Sequence, residues 1–264
     1  MAEEPNTDPA DAPEEGAMSL LDHLRELRDR LFRAVLALGV GTGIGFFLAE
    51  PVLRVLAERI PGQRFIVINP TEGLTNYFTV AVTIGAALAM PVILYQIIAF
   101  IMPGLLPRER RWLYIGLPMA TLLFLLGMAF SWFLFLPNAI DFLANLLPSV
   151  FTAQYRVDET LPFFTNVIFW MGVAFEMPIL IFTLAKLNVV SAGVLARQWR
   201  YAIVIIAVVS ALITPTPDPV NMGLVMLPLL VLYLVSIVLA RLARRGATVP
   251  AMLDPNEKVR EATT

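Results

Sequence analysis

Residues 90–112 leave this chain few ways to fold. They join the end of a long apolar run, two prolines and a burst of arginines, after which the next apolar run begins. Pro103 and Pro107 halt a helix, because proline lacks a backbone N–H and its ring clashes with the preceding turn. Arg108, Arg110 and Arg111 surround one carboxylate, Glu109. The flanking runs cover 77–102 and 112–136, each longer than the ~20 apolar residues that cross a hydrocarbon core. The pattern is a membrane hairpin with a basic turn, and basic turns concentrate on the cytoplasmic side.

Further apolar runs at 31–48, 162–187, 201–214 and 220–240 bring the expected spans to six. Composition agrees: the chain is 58% hydrophobic and 15% charged, whereas soluble domains average about 45–50% and ~25%. The fold class expected is therefore an all-α polytopic membrane protein. The fifth span has only 14 residues before Pro215. At ~1.5 Å per residue it reaches about 21 Å, short of a ~30 Å core.

The connecting segments are read as follows. Residues 1–17 are acidic and Pro-rich, too poor in apolar surface to fold, and are expected to be a disordered tail. They also lack the basic stretch of a cleavable secretory signal. A helix starts at Ser19, with Asp22 as a capping partner. Leu20, Leu24, Leu27 and Leu31 form its apolar stripe, so it should lie along the inner surface before entering the membrane. Residues 50–72 read as an external loop, with a short interfacial helix at 52–57 and an extended piece at 65–68. Residues 139–147 read as a helix lying flat on the outer surface. The organisation is thus a tail (1–17), a six-helix membrane domain (18–245) and a flexible tail (246–264). Placing both termini inside puts 15 of the 19 basic residues in the cytoplasm and leaves Arg54, Arg59, Arg64 and Arg156 outside, as the positive-inside rule requires.

Several function classes drop out. The chain has no cysteine, which excludes disulfide scaffolds, thiol catalysis and iron–sulfur ligation. Its one histidine, His23, argues against a His-rich metal site. The balance of 19 basic against 21 acidic residues gives no sign of nucleic-acid binding. No nucleophile elbow, zinc-protease motif or phosphate-cradling glycine loop is present, so neither catalysis nor a cofactor is expected.

Four acids stand out. Glu26 precedes Arg30 by one turn, which alone reads as an i,i+4 ion pair worth ~0.3–0.5 kcal/mol. Glu109 alone reads as a neutraliser of its arginine neighbours. Together they place two carboxylates near the inner membrane boundary, where partial desolvation strengthens pairing with a guanidinium. Glu176 lies near the middle of the fourth span, where a carboxylate costs ~2.5–3.5 kcal/mol and should face the bundle interior or a water-filled cavity. Pro178 frees the carbonyl of Ala174 at the same depth. Asp218, among prolines, reads as a turn residue, and Gln96 as a milder intramembrane polar group.

The stretches His23-Leu-Arg-Glu-Leu-Arg-Asp-Arg-Leu31 and 90–111 resemble the TatC family, the multispanning core subunit of the twin-arginine protein translocase. Gly127-Met-Ala-Phe130, Phe175-Glu-Met-Pro178 and Leu212-Ile-Thr-Pro-Thr-Pro-Asp218 match in order. The resemblance implies a concave, glove-like six-helix bundle in the bacterial inner membrane that binds twin-arginine signal peptides of folded preproteins. Glu26 and Glu109 would hold the arginine pair, supported by Arg28, Phe100, Arg110 and Arg111. Glu176, with Gln96, would be the polar feature inside the bundle. The last two spans would receive the single-span subunits TatA and TatB, with Pro215, Asp218 and Met222 at that contact. Further TatC copies would assemble alongside, and proton-motive force would drive transport. Two other readings stay open on the residues: a proton-coupled small-solute transporter using Glu176, and a purely structural membrane scaffold.

Overall fold

A computed structural model describes residues 20–60, 65–101, 107–145, 155–186, 189–214 and 219–245. The expected tails at 1–17 and 246–264, and also Pro215 and Asp218, lie outside the described residues. Within them the chain is helical: α1 (Leu20–Ala57), α2 (Pro70–Ile101), α3 (Pro107–Phe130), α4 (Leu136–Ala144), α5 (Val157–Lys186), α6 (Ala192–Arg197), α7 (Trp199–Ile213) and α8 (Pro219–Arg245). Five helical runs, built on α1, α2, α3–α4, α5 and α8, are long and apolar enough to cross a membrane, and α7 is a shorter apolar helix of 15 residues.

Three expectations about the connections change. The segment expected to lie on the inner surface, the first span and the expected interfacial helix at 52–57 are one continuous helix, α1, of 38 residues. At ~1.5 Å per residue it is about 57 Å long, well beyond a ~30 Å core. Pro51 lies inside it without ending it. Membrane helices tolerate such prolines when neighbours re-satisfy the freed backbone, and Arg54 pairs with Glu50 across the proline. The external loop is correspondingly shorter, running from the end of α1 to Pro70. Its 65–68 piece is extended, as expected: the Ile66 N–H donates to the Tyr155 carbonyl (3.0 Å) and the Val157 N–H to the Ile66 carbonyl (3.1 Å). This clasp ties the loop after α1 to the start of α5.

The expected flat helix at 139–147 is instead a continuation of the third span. A π-helical turn, Ser131–Phe135, links α3 to α4, and Phe130 and Leu136 on either side keep helical dihedrals. The Leu136 N–H reaches back five residues to the Ser131 carbonyl. Pro137, which has no N–H to give, follows at once, so the wider turn forfeits little.

The main core gathers near the clasped end. It contains Leu56 of α1 and Ile60 just after it, Leu136 and Ile140 of α4, Phe164 and Met171 of α5, Ile206 of α7, and Val225 and Leu229 of α8. Elsewhere helices approach through small residues, the usual device where lipid removes the hydrophobic drive between helices. A Cβ on Gly85 would stand 2.4 Å from the Thr42 backbone nitrogen, and one on Gly41 would stand 2.4 Å from the Gly85 carbonyl. The α1–α2 pair therefore closes backbone to backbone. A methyl at Gly85 must separate the two helices, so Gly85→Ala should destabilise the bundle by ~1–3 kcal/mol, the usual cost of overpacking. Gly39→Ala, whose added methyl meets nothing within 4 Å, should be neutral or stabilising. Denaturant unfolding of the two purified variants in detergent checks this, and equal midpoints would refute it.

Candidate functional site

The first turns of α1 are built the opposite way round from a soluble amphipathic helix. The leucine stripe faces outward: Leu24 is 59% and Leu31 61% exposed. The side turned toward the bundle carries His23, Glu26 and Arg30, spaced i, i+3 and i+7, one face of a helix. The Arg30 Nε donates to Glu26 Oε1 at 2.9 Å, and its Nη2 contacts the same oxygen. Both side chains are 19% exposed. The ion pair expected from spacing alone therefore forms, yet it engages one carboxylate oxygen. Glu26 Oε2 is buried and has no hydrogen-bond partner among the described residues. A buried acceptor left unmet costs ~1–3 kcal/mol, so this oxygen is a ready seat for an incoming donor.

The His23 ring stacks on Phe100 with centroids 4.4 Å apart and planes 23° from parallel. Phe100 stands near the C-terminal end of α2, one residue before it stops at Ile101. Four residues earlier, on the same face, Gln96 is buried and its Oε1 is unpaired. The stack therefore pins the start of α1 to the end of α2, one helical turn before Glu26. The backbone at Glu109, Arg110 and Arg111 forms the first turns of α3; their side chains lie outside the described part of the structure.

The other expected residues are dispersed. Arg28 sits on the exposed side of α1, donating to Asp29 at 3.0 and 2.9 Å, and is not drawn to Glu26 or Phe100. Glu176 is 2% exposed, and its Oε1 lacks a partner among the described residues. It does not line the apolar cavity of about 690 Å³ between α1, α2, α3 and α5. Met222 is half-buried in the first turns of α8. Among the described residues no group of three or more metal-ligating side chains occurs. Two residues of this face carry no binding role in the sequence reading: His23, which bears there only on metal ligation, and Arg30, which reads there only as an ion-pair partner. Their 23/26/30 spacing was the available signal.

Among the described residues, an all-α bundle with five full apolar spans and one short one defines a multispanning membrane protein. The model of the TatC family, described as Sec-independent protein translocase protein (TatC), matches residues 22–228. The Sec-independent protein translocase protein TatC of Aquifex aeolicus is 39% identical over 234 residues, covering 86% of this chain and 97% of that protein. The protein of the same name from Koribacter versatilis is 37% identical over 228 residues, covering 83% and 84%. A crystal structure of a twin-arginine translocase receptor, TatC, superposes with a TM-score of 0.78 at 38% identity, covering 84% of this chain and all of the other. The chain belongs to the TatC family. Membership sets aside the solute-transporter and scaffold readings.

The stack makes its own prediction. Removing either ring should cost ~0.5–1.5 kcal/mol beyond the area lost, as aromatic pairs do. A double-mutant cycle on His23→Ala and Phe100→Ala should return a coupling of that size, and His23→Phe should preserve stability. Purely additive single effects would show that the two rings do not hold α1 to α2.

Proposed function

We propose that this chain is the receptor subunit of a twin-arginine translocase, binding the signal peptides of folded preproteins through two adjacent arginines. The observation that carries this reading is the unpaired, buried Oε2 of Glu26. One arginine of the peptide would donate to it while Arg30 keeps Oε1. The rings of Phe100 and His23 offer a face on which a flat guanidinium stacks. Glu109, on the first turn of α3 and nine residues beyond Phe100 in sequence, supplies the second carboxylate, followed by Arg110 and Arg111. Arg28, on the outward face, contributes to the charge of the rim rather than to the seat itself.

In this reading both termini are cytoplasmic, because that orientation puts 15 of 19 basic residues inside, and the membrane is the bacterial cytoplasmic membrane. TatA and TatB dock on α7 and α8, near Pro215, Asp218 and Met222, and further TatC copies complete the assembly. Transport draws on the proton-motive force, with Glu176 as the intramembrane polar group. The 15-residue α7 spans ~22 Å, so the bilayer thins beside it at a modest cost per Å and offers cargo a lower barrier.

A twin-arginine peptide should bind the purified protein at least ~10-fold more tightly than its twin-lysine counterpart. Glu26→Gln and Glu109→Gln should each remove ~10–100-fold, the loss of one charge-assisted bond. Equal binding of both peptides, or silence of both substitutions, would end the receptor reading. Adding one helical turn to α7 should impair export in cells while leaving peptide binding unchanged; undiminished export would remove thinning from the mechanism.

A further inference from the structure

One cavity in the bundle is separate from the Glu26 rim. It has a volume of about 690 Å³ and lies between the second half of α1, the middle of α2, α3 with its π-helical turn, and α5. Its walls are apolar almost throughout. Its two hydroxyls are already spent on their own helices: Thr83 Oγ1 donates to the Thr79 carbonyl (2.9 Å) and Thr165 Oγ1 to the Leu161 carbonyl (2.9 Å). Nothing inside asks for a polar ligand. The rim residues Leu48, Leu88, Leu125 and Phe133 are exposed, so the cavity opens sideways, where a membrane supplies hydrocarbon.

Beside this wall stands a cation. The Arg59 guanidinium lies 4.0 Å from the ring centroid of Trp132, a residue of the π-helical turn that lines the cavity. At this end of the bundle Arg54 pairs with Glu50, and Arg156 with Asp158 and Glu159. Arg59 has no carboxylate partner among the described residues, and its neighbour Glu58 is exposed without pairing to it. A guanidinium resting on an aromatic face keeps its N–H edge free for an anion.

We infer that the cavity holds an acyl chain of an anionic phospholipid, whose phosphate is gripped by Arg59. The lipid belongs to the leaflet at the α1 C-terminal end, the outer one in the orientation proposed above. The lining and the cation together favour this occupant: a chain of methylenes follows an irregular apolar wall that is open along its side, and a phosphate at the end of that chain answers the Arg59 guanidinium. Bound there, the lipid seals the gap between α1–α2 and α3–α5 against water.

The test uses the purified full chain in detergent, titrated with phosphatidylglycerol or with phosphatidylcholine of the same chains, with bound lipid counted by native mass spectrometry. Phosphatidylglycerol should be retained about fivefold better, the effect of one basic side chain near an anionic headgroup. Arg59→Gln should bring that ratio close to one while lipid is still retained. Ala129→Phe, filling the cavity, should lower retention of both lipids at least severalfold with Arg59 intact; if that variant does not fold, Ala87→Leu on the facing helix takes its place. A ratio unmoved by Arg59→Gln, or retention unmoved by the filling variant, would overturn the assignment. So would one-for-one displacement of the lipid by a hydrophobic single-span peptide, which would give the cavity to a polypeptide.

Discussion

In hydrocarbon no water is available to complete a hydrogen bond, so each polar group must find its partner within the protein. The bundle meets that constraint locally. Thr75, Thr79, Thr83, Thr121, Thr165, Thr183, Thr214 and Ser236 each donate a hydroxyl proton to the carbonyl four residues earlier. Such bonds use up the side chain without requiring a neighbour. Helix contacts are then free to be made by packing alone, which is why Gly41 and Gly85 can close against backbone and why Ala185, Ala192, Ala240 and Ala243 form a contact of methyl groups. Against this background the exceptions are informative. The unpaired buried oxygens include Ser131 Oγ and Ser210 Oγ as well as Glu26 Oε2, Gln96 Oε1 and Glu176 Oε1; all are polar groups kept at a cost, and the ionisable ones within a membrane protein are candidates for function.

The sequence displayed the spans well because apolar length is a strong signal: each run read at 77–102, 162–187 and 220–240 falls within or against its helix. It displayed the connections poorly. The first and third runs read as ending at 48 and 136, yet in both places the helix continues, past Pro51 within α1 and through a π-helical turn just before Pro137. Proline penalises one hydrogen bond and one carbonyl, and a long membrane helix has enough remaining bonds, and enough need to avoid exposed backbone, to absorb the loss. No single-residue propensity carries that information, because it depends on the surrounding medium.

The candidate site was legible in its residues but not in its facing. Periodicity sets the leucine stripe of α1 against the membrane surface and leaves the opposite face to solvent; the stripe does point out, but the opposite face turns to the bundle. Here the medium outside is itself apolar, so Leu24, Leu27 and Leu31 lose nothing by pointing out. His23, Glu26 and Arg30 gain by turning toward one another and toward Phe100. The same reversal separates Arg28 from the site: two residues past Glu26 on a helix, it must look the other way, and it does, toward Asp29.

That facing also accounts for the strength available at the rim. Two unit charges 4 Å apart attract by ~1 kcal/mol in water but by ~4 kcal/mol where the effective dielectric is about 20. Glu26 and Arg30, each largely covered, sit in the second regime. A guanidinium arriving at Glu26 Oε2 enters it too, provided its own desolvation is offset by bonds to more than one acceptor and by a flat surface against its plane. The arrangement around Glu26 supplies the acceptor and the rings together, on an anchored helix end, so little ordering remains to be done on binding. A lysine ammonium is more strongly hydrated and cannot lie flat on a ring; at this rim it would surrender its water for a single contact. Under the proposed receptor reading, selectivity for arginine over lysine would follow from shape and desolvation, since the two side chains carry the same charge.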